Sequence, residues 1–468
     1  MLNPVPVSNL QGYVLLSIYN IILPANIALN LLVFSYFLGM AFSFRYLVIS
    51  VAGKASPMVY SVFPFIMNNS LNLGLMNFCL GVALLLFMIG YWLRVHKEFK
   101  IIHVIVFGLL FLLMNFTHLL SFVFLGLLIL IFLVYEQIQN IYIYKTPRLK
   151  QLFIKIIKLV IAVIPALLFA LNYTLNVSGY VLNANKQAGD NMTILESLYY
   201  VRPLIIFHVN NNGNANLLLF FGILAIILIY IIYRIINRNS GKNKAFYSNL
   251  MMLVMIILLA MLILVPSTFL LNTMRLRISL IFFLFLMVWL NSVKMPWKIE
   301  VLAGLFFLFV FTEHQVRMSD VRTKISDASR EVFTLEEHMD PNTVYLPVNA
   351  GNQWMNKQIL NYVGAEKPIV NIKHPHAYRP FPVLWNWKKV PHTLFGGHRG
   401  DEIPIYYNPG RDYNKTQEID YVLIYYPEIF DKKRKDEGYA TFFSILDNKY
   451  VQTFESESKH LVLLKRIE

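Results

Sequence analysis

Two arginines, Arg275 and Arg277, open one of the last apolar runs of the sequence, within the segment PSTFLLNTMRLRISL. A guanidinium matches the geometry of a phosphate and can bind it through two parallel hydrogen bonds. Lipid carriers present their phosphates at the depth where such a run begins, so the pair is predicted to bind a lipid phosphate. The alternative is that both side chains only extend along apolar surface to reach water at the membrane interface.

Asparagine and histidine side chains interrupt or end other apolar runs. Asn68, Asn69 and Asn77 lie around a break between two runs, and His118 lies at the tip of an expected hairpin beside Asn115. Polar groups at membrane depth are tolerated where they pair or line a cavity, so these side chains are cavity-lining candidates. Capping of helix ends at the interface is the alternative. A second polar group precedes a later run: His208, Asn210, Asn211, Asn212, Asn214 and Asn216.

Familiar signatures of soluble enzymes are missing from the sequence. It contains no P-loop, dinucleotide fingerprint, HExxH or paired CxxC, which disfavours an ATP-driven pump unless a separate subunit binds the nucleotide. Four histidines lie close together in the C-terminal part: His374, His376, His392 and His398. They do not form a complete ligand set at a defined spacing, so packing within a loop is preferred and no metal site is predicted. No catalytic residue is identified from these patterns.

Acidic residues are nearly excluded from the first two thirds of the chain. The first is Glu98, and only five of the 26 precede residue 313. A charged side chain costs a few kcal/mol or more at a bilayer centre, so this depletion is typical of a membrane-spanning region. The net charge of +15 arises in the same region, where basic residues cluster in loops. That pattern indicates membrane topology and gives no reason to expect a nucleic-acid partner.

Apolar runs before residue 313 predict an α-helical integral membrane domain over 1–312, with about 8–10 membrane helices. The runs are 28–50, 57–68, 73–93, 101–114, 117–135, 156–171, 215–234, 247–265, 278–293 and 299–312. A full crossing needs about 20 apolar residues. The runs 57–68, 101–114 and 299–312 are short, and they are therefore expected to be tilted, broken or partly buried helices.

The basic loops favour one orientation in the membrane, because such loops face the cytoplasm. They cluster at 94–100, 145–155, 234–244 and 294–298. This predicts a multi-pass protein of the bacterial inner membrane, with loop 172–214, segment 266–277 and region 313–468 outside the cytoplasm. Residues 1–25 would begin outside, where 9–23 is either an interfacial helix or the start of an extended first span.

Region 313–468 is expected to form an extracytoplasmic α/β domain. Helical patterns cover 316–339 and 438–448. Short runs rich in β-branched and aromatic residues predict five strands, at 343–348, 367–372, 420–426, 450–455 and 460–466. Segment 373–415 is rich in proline, glycine, histidine and aromatic residues, and is expected to be a long ordered loop.

Four segments carry a resemblance to a bacterial family of multi-span proteins of the GT-C glycosyltransferase type. They are NPVPVSNLQGYVLLSIYNIILPANIALNLL, FRYLVISV, FPFIMNNSLNLGLMNFCLGVALLLFMIGYWLR and NFTHLLSFVFLGLLIL. The similar features are an asparagine-rich break before G-x-x-N-F-x-L-G, a hairpin tip with His118, and the basic residues Arg275 and Arg277 opening a late span. The resemblance covers 1–312 well and the remaining chain loosely.

The resemblance implies a transferase that moves a sugar from a polyprenyl-phosphate carrier to a glycan, lipid or protein acceptor at the outer membrane face. Such enzymes usually carry an essential acid in the first external loop, as a general base or a metal ligand. Residues 1–25 contain no acid. Either a preceding helix and acidic loop are missing, or this form is inactive, or the base comes from elsewhere, for which His118 is a candidate. This form is therefore expected to turn over slowly or not at all. No cofactor is evident, and a divalent metal would need ligands from that loop. The other acids expected on the outer side are Asp190, Glu196 and Glu313, each a candidate substitute for the missing acid.

Other function classes stay open. A non-enzymatic transporter of lipid or polysaccharide, or a scaffold with an external sensing domain, would need no acid. Transporters built from inverted repeats should show matching broken helices in two halves, and the sequence shows no such symmetry. An O-antigen polymerase or ligase would also combine basic residues with a large external loop.

Overall fold

A computed structural model describes most of the chain. The described residues are 7–145, 147–182, 193–205, 209–236, 245–265, 274–293, 295–351, 359–364, 366–372 and 419–467. Two compact units are separated between Arg317 and Met318. This division falls inside a continuous helix, Trp297–Thr334, so the chain passes from one unit to the other without a linker.

The first unit is a bundle of α-helices. They are α1 Gln11–Ile22, α2 Ala25–Ala52, α3 Phe63–Ile66, α4 Asn69–Asn72, α5 Met76–Val95, α6 Ile101–Thr117, α7 Leu119–Tyr144, α8 Leu149–Leu182, α9 Ile194–Tyr199, α10 Val209–Ile236, α11 Ala245–Leu264, α12 Met274–Ser292 and α13 Trp297–Thr334. Within the described residues, eight helices are long and apolar enough to cross a membrane, and α1 and α6 are shorter apolar helices. The unit thus has the architecture of a multi-pass membrane protein, as the charge depletion predicts.

The three runs expected to be short have different outcomes. Residues 57–68 form a 3₁₀-helix, Pro57–Val62, followed by the single turn of α3, and the chain breaks at Met67 before α4. Run 101–114 belongs to α6, which has 17 residues. Run 299–312 is partly buried, as one interpretation allowed, but it is not a short helix, because α13 has 38 residues and continues through the helix predicted at 316–339. No proline or glycine follows Gly304 within α13, so nothing local ends the helix.

Residues 9–23, for which two interpretations were open, form a helix of their own. Helix α1 ends before Pro24, which is the N-cap of α2. Proline restricts the residue before it to extended conformations, which separates the two helices. The hydroxyls of Tyr19 and Ser35 are hydrogen-bonded at 2.9 Å, so α1 packs against α2.

Four helices, α5, α7, α8 and α11, each have one end that is flanked by basic residues. These four ends meet at one end of the bundle, which we call the basic end. Lys155 Nζ of α8 contacts both carboxylate oxygens of Glu136 on α7, at 2.7 and 2.9 Å. The ring of His96, directly after α5, lies 6.4 Å from that of Tyr247 near the start of α11. Because consecutive helices alternate in direction, α6 ends and α7 and α12 begin at the opposite end, which we call the polar end.

The second unit contains a five-stranded sheet. Its strands are β1 Val344–Asn349, β2 Val370–Asn371, β3 Tyr421–Tyr425, β4 Tyr450–Glu455 and β5 Leu461–Arg466. Their order is β2-β1-β3-β5-β4; β1 is parallel to β2 and β3, whereas β5 is antiparallel to β3 and β4.

The α/β prediction for this unit is confirmed for all five strands, although β2 is only two residues long. Two short α-helices follow β3: α14 Pro427–Phe430 and α15 Ala440–Lys449. The second of them is the helix predicted at 438–448. Apolar clusters cover the two faces of the sheet, one around Val348 and Phe442 and the other around Tyr345 and Leu463. The expected loop 373–415 lies outside the described residues.

Candidate functional site

The polar end of the bundle is organised around the first turn of α5. Asn77 donates from Nδ2 to the carbonyl of Asn9 at 2.8 Å, and its Oδ1 accepts from the N–H of Gly12 at 2.7 Å. A Cβ at Gly12 would lie 2.7 Å from that Oδ1, so the helix approaches Asn77 closely only because residue 12 is glycine. Asn77 therefore holds the start of α1 against α5.

The same N-terminal segment also binds the tip between α6 and α7. Ser8 Oγ donates to the carbonyl of Asn115 at 2.8 Å, and the N–H of Leu10 donates to the carbonyl of Phe116 at 2.7 Å. Thr117 Oγ1 and Gln11 Oε1 form a further hydrogen bond. Residues 8–12 thus join α5 to the hairpin tip and form part of the polar end.

Replacing Asn77 by alanine should release the N-terminal segment. The two lost hydrogen bonds contribute about 1 kcal/mol each, so amide exchange over residues 8–22 should rise by roughly tenfold or more in hydrogen–deuterium exchange of the purified protein. Asn72→Ala is the matched control, because among the described residues the Asn72 side chain bonds only to the nearby Asn68 carbonyl. Equal exchange of residues 8–22 in both variants would contradict this role of Asn77.

Asn68 is fully buried and forms a hydrogen-bonded junction. Its Nδ2 donates to the hydroxyl of Tyr36 at 3.1 Å and to the carbonyl of Phe65 at 3.0 Å, while its Oδ1 accepts from the N–H of Leu71 at 3.2 Å and caps α4. This agrees with the capping interpretation. Asn69, next in the chain, is also buried, and its Oδ1 makes no hydrogen bond within the described residues.

His118 ends α6 and caps the N-terminus of α7. Its ring is 7% exposed, and Nδ1 accepts from the N–H of Ser121 at 3.3 Å. An accepting Nδ1 leaves the hydrogen of the neutral ring on Nε2, which is then a donor. The ring also meets Phe78 edge-on, with centroids 5.2 Å apart. His118 therefore presents a donor at the polar end, whereas the general-base role that sequence reasoning left open requires an accepting nitrogen.

Arg277 lies in the same neighbourhood. Its Cζ is 5.4 Å from the centroid of the Phe78 ring, and its charge acts on Cys79 and His118. The Nε atom is buried without a hydrogen-bond partner, and within the described residues the guanidinium donates no hydrogen bond. Arg277 is half-buried, and the donors of its guanidinium are left for another group. The arrangement therefore suits an anionic ligand.

Arg275 has a different environment. Its Nη2 donates to the carbonyl of Val265, directly after α11, at 3.3 Å. Residues two apart in a helix do not share a face, so Arg275 and Arg277 point to different sides of α12. The sequence pattern suggested a pair acting together, but the structure brings only Arg277 to Phe78 and His118.

The acids considered as catalytic substitutes are engaged locally. Glu196 accepts from the N–H of Thr193 at 2.7 Å in a capping box, and Glu313 pairs with Arg317 at 2.6 Å. Asp190, His208 and the four C-terminal histidines lie outside the described residues, as do the side chains of Asn210, Asn211 and Asn212. Within the described part, no group of three or more metal-ligand residues forms a cluster.

Sequence reasoning did not identify three residues of the polar end: Tyr36, Phe78 and Cys79. Tyr36 is buried within α2 and donates to the carbonyl of Ile66 at 2.9 Å, as well as accepting from Asn68. Phe78 and Cys79 belong to the G-x-x-N-F-x-L-G segment. That segment is the sequence signal that could have identified Phe78 and Cys79, but both residues are apolar and resemble ordinary core residues.

The described helices are long and apolar enough for a multi-pass membrane protein, and Arg277 lies at the polar end with its Nε atom buried and without a hydrogen-bond partner among the described residues. Comparison of the chain with models of known protein families, with curated proteins and with solved structures finds no match.

Proposed function

We propose that this protein is a glycosyltransferase of the bacterial inner membrane that moves a sugar from a polyprenyl-phosphate carrier to a glycan, lipid or protein acceptor at the outer face. The observation that carries the proposal is the Arg277 guanidinium, which lies at the polar end without a hydrogen-bond partner among the described residues. A phosphate would satisfy its donors. The resemblance to GT-C proteins is the reason for proposing this class of reaction. The polar end is the proposed phosphate site.

The proposed reaction breaks the bond between the sugar anomeric carbon and the carrier phosphate oxygen, and forms a bond from that carbon to an acceptor hydroxyl oxygen. Negative charge grows on the departing phosphate, where Arg277 and the Nε2–H of His118 would stabilise it. The acceptor proton passes to a base, a role for which we assign no residue. Asn77 and Asn68 would act indirectly, by holding α5 and α4 around this site.

A second candidate is a transporter or scaffold that binds a lipid phosphate without chemistry. The local engagement of Glu196 and Glu313 favours it, because neither carboxylate is available as a base without rearrangement.

A paired assay separates the two candidates. Purified full-length protein in nanodiscs is titrated with polyprenyl-phosphate hexoses, and transfer of radiolabelled hexose to an acceptor extract is followed in parallel. Binding with slow transfer, both reduced in Arg277→Gln, is the expected result. Binding without transfer across the carriers would favour the transporter or scaffold, and no carrier binding would remove both.

The proposal also places the basic end in the cytoplasm and residues 313–468 outside. On a Cys79→Ser background, a cysteine at the exposed Glu457 in the turn between β4 and β5 should react with an impermeant maleimide in cells with a permeabilised outer membrane. A cysteine at exposed Lys97, at the basic end, should react only after the inner membrane is opened. The reverse pattern would contradict this topology.

A further inference from the structure

An apolar groove lies between α7 and α8. Its volume is about 550 Å³, and Phe111 of α6 also contributes to it. Along α7 it extends from Phe122 to Ile141, about 28 Å at 1.5 Å per residue. That length is close to the roughly 30 Å thickness of a bilayer hydrocarbon core.

The groove is open on the outer surface of the helical bundle. Val123 is 58% exposed, and Leu130 and Ile138 are each more than half exposed. Such a surface is unfavourable in water and favourable against lipid chains. Near the basic end, the Glu136–Lys155 ion pair ties α7 to α8, so the two helices are held together while the groove stays open.

One lining residue is polar. Gln137 lies in the half of the groove nearer the basic end, and its Oε1 is buried without a hydrogen-bond partner. It is eight positions before Lys145, or about 12 Å along the helix. A side-chain amide can turn to present either its donors or its acceptor, so Gln137 can serve a polar group located one or two helical turns below the membrane surface.

Basic residues lie directly beyond this end of the groove. Ile141 and Leu152 line the groove on the two helices, and the chain between them carries the exposed cations Lys145, Arg148 and Lys150. No acid occurs from residue 137 to residue 154. The groove therefore has an apolar body, one amide at intermediate depth and a positively charged mouth.

We propose that this groove binds an anionic phospholipid. One acyl chain occupies the apolar body, the Gln137 amide donates to an ester carbonyl, and the phosphate lies against the cations at 145–150. The order of apolar, amide and cationic groups along the groove matches the order of chain, ester and phosphate in such a lipid. The proposed headgroup site lies at the basic end, opposite the polar end, and the proposal does not depend on the proposed transferase activity.

The test is a titration of the full-length protein in detergent with phosphatidylglycerol, read out by native mass spectrometry. Phosphatidylcholine and a polyprenyl phosphate are the comparison lipids. Gly126→Phe should weaken phosphatidylglycerol binding at least tenfold, because Gly126 lines the groove and faces open space. Gly39→Phe is the matched control, since Gly39 also sits in a long helix with open space around it but outside the groove.

The combined variant Lys145→Gln, Arg148→Gln and Lys150→Gln tests the mouth and changes only exposed positions. Each cation near an anionic headgroup contributes about fivefold, so the three together should weaken phosphatidylglycerol binding by roughly a hundredfold. Phosphatidylcholine should bind weakly to all variants. Unchanged binding in both the triple variant and Gly126→Phe would overturn the proposal. So would equal affinity for phosphatidylcholine, or displacement of phosphatidylglycerol by the polyprenyl phosphate, which would assign the groove to the carrier.

Discussion

Replacing Arg277 by glutamine is expected to weaken binding of a polyprenyl phosphate by about ten- to a hundredfold. A charge-assisted hydrogen bond to phosphate contributes roughly 1.5–3 kcal/mol. Because the guanidinium donates no hydrogen bond within the described residues, a bound phosphate would be its main partner. Since Arg277 has no ion-pair partner among the described residues, removing its charge breaks no ion pair and should not destabilise the fold by that route. The measurement is a titration of the purified variants with a polyprenyl phosphate.

Two further variants make this test selective. Arg277→Lys keeps the charge but loses the planar, bidentate geometry, so an intermediate loss is expected. Arg275→Gln should have a smaller effect than Arg277→Gln, because Arg275 already donates to the Val265 carbonyl on another side of α12. If Arg277→Gln binds the polyprenyl phosphate as tightly as the wild type and has the same melting temperature, then Arg277 is an interfacial side chain and does not bind the phosphate.

In the second unit, Glu336→Ala is expected to lower the free energy of local unfolding by about 3 kcal/mol. The Glu336 carboxylate is buried and accepts hydrogen bonds from the backbone N–H groups of Gly364, Glu366 and Lys367. Lys367 Nζ in turn donates to the Glu336 carbonyl. Alanine would remove the acceptor of these three N–H groups, which lie in a part-buried environment.

This loss should appear as faster exchange of the Gly364, Glu366 and Lys367 amides in the full-length protein, by roughly a hundredfold, since about 1.4 kcal/mol corresponds to a factor of ten. Glu337→Ala is the matched control, because the adjacent glutamate is exposed. Glu336→Gln, which keeps one acceptor oxygen, should fall between the two. Similar exchange rates for Glu336→Ala and Glu337→Ala would show that the carboxylate does not hold this loop.

The membrane region could be predicted because it is recognised from the order of residues along the chain alone. The exclusion of acids before Glu98 and the length of the apolar runs depend only on local composition, and the described helices follow them. The strands β1, β3, β4 and β5 were also predictable from short runs of β-branched and aromatic residues. The continuity of α13 was not, since the change from apolar to polar residues near 313 suggested a boundary where the backbone has no reason to break.

The polar end was predictable only in part. Asn77 and His118 were recognised as unusual residues at membrane depth, but their partners are distant in sequence. Asn77 binds Asn9 and Gly12, and Thr117 binds Gln11. The separation of Arg275 from Arg277 depends on the helical phase of α12 and on its packing against α11. Sequence spacing therefore located the candidate residues, but their pairing needed the three-dimensional arrangement.

Photo-crosslinking tests the central claim most directly. A polyprenyl phosphate with a diazirine next to its phosphate is irradiated with the full-length protein in nanodiscs, and the labelled residues are mapped by mass spectrometry. Labels on the segments around Phe78, His118 and Arg277, suppressed by unlabelled polyprenyl phosphate and reduced in Arg277→Gln, are the expected result. Labels confined to the outer surfaces of α7 and α8, or unaffected by the competitor, would contradict a phosphate site at Arg277.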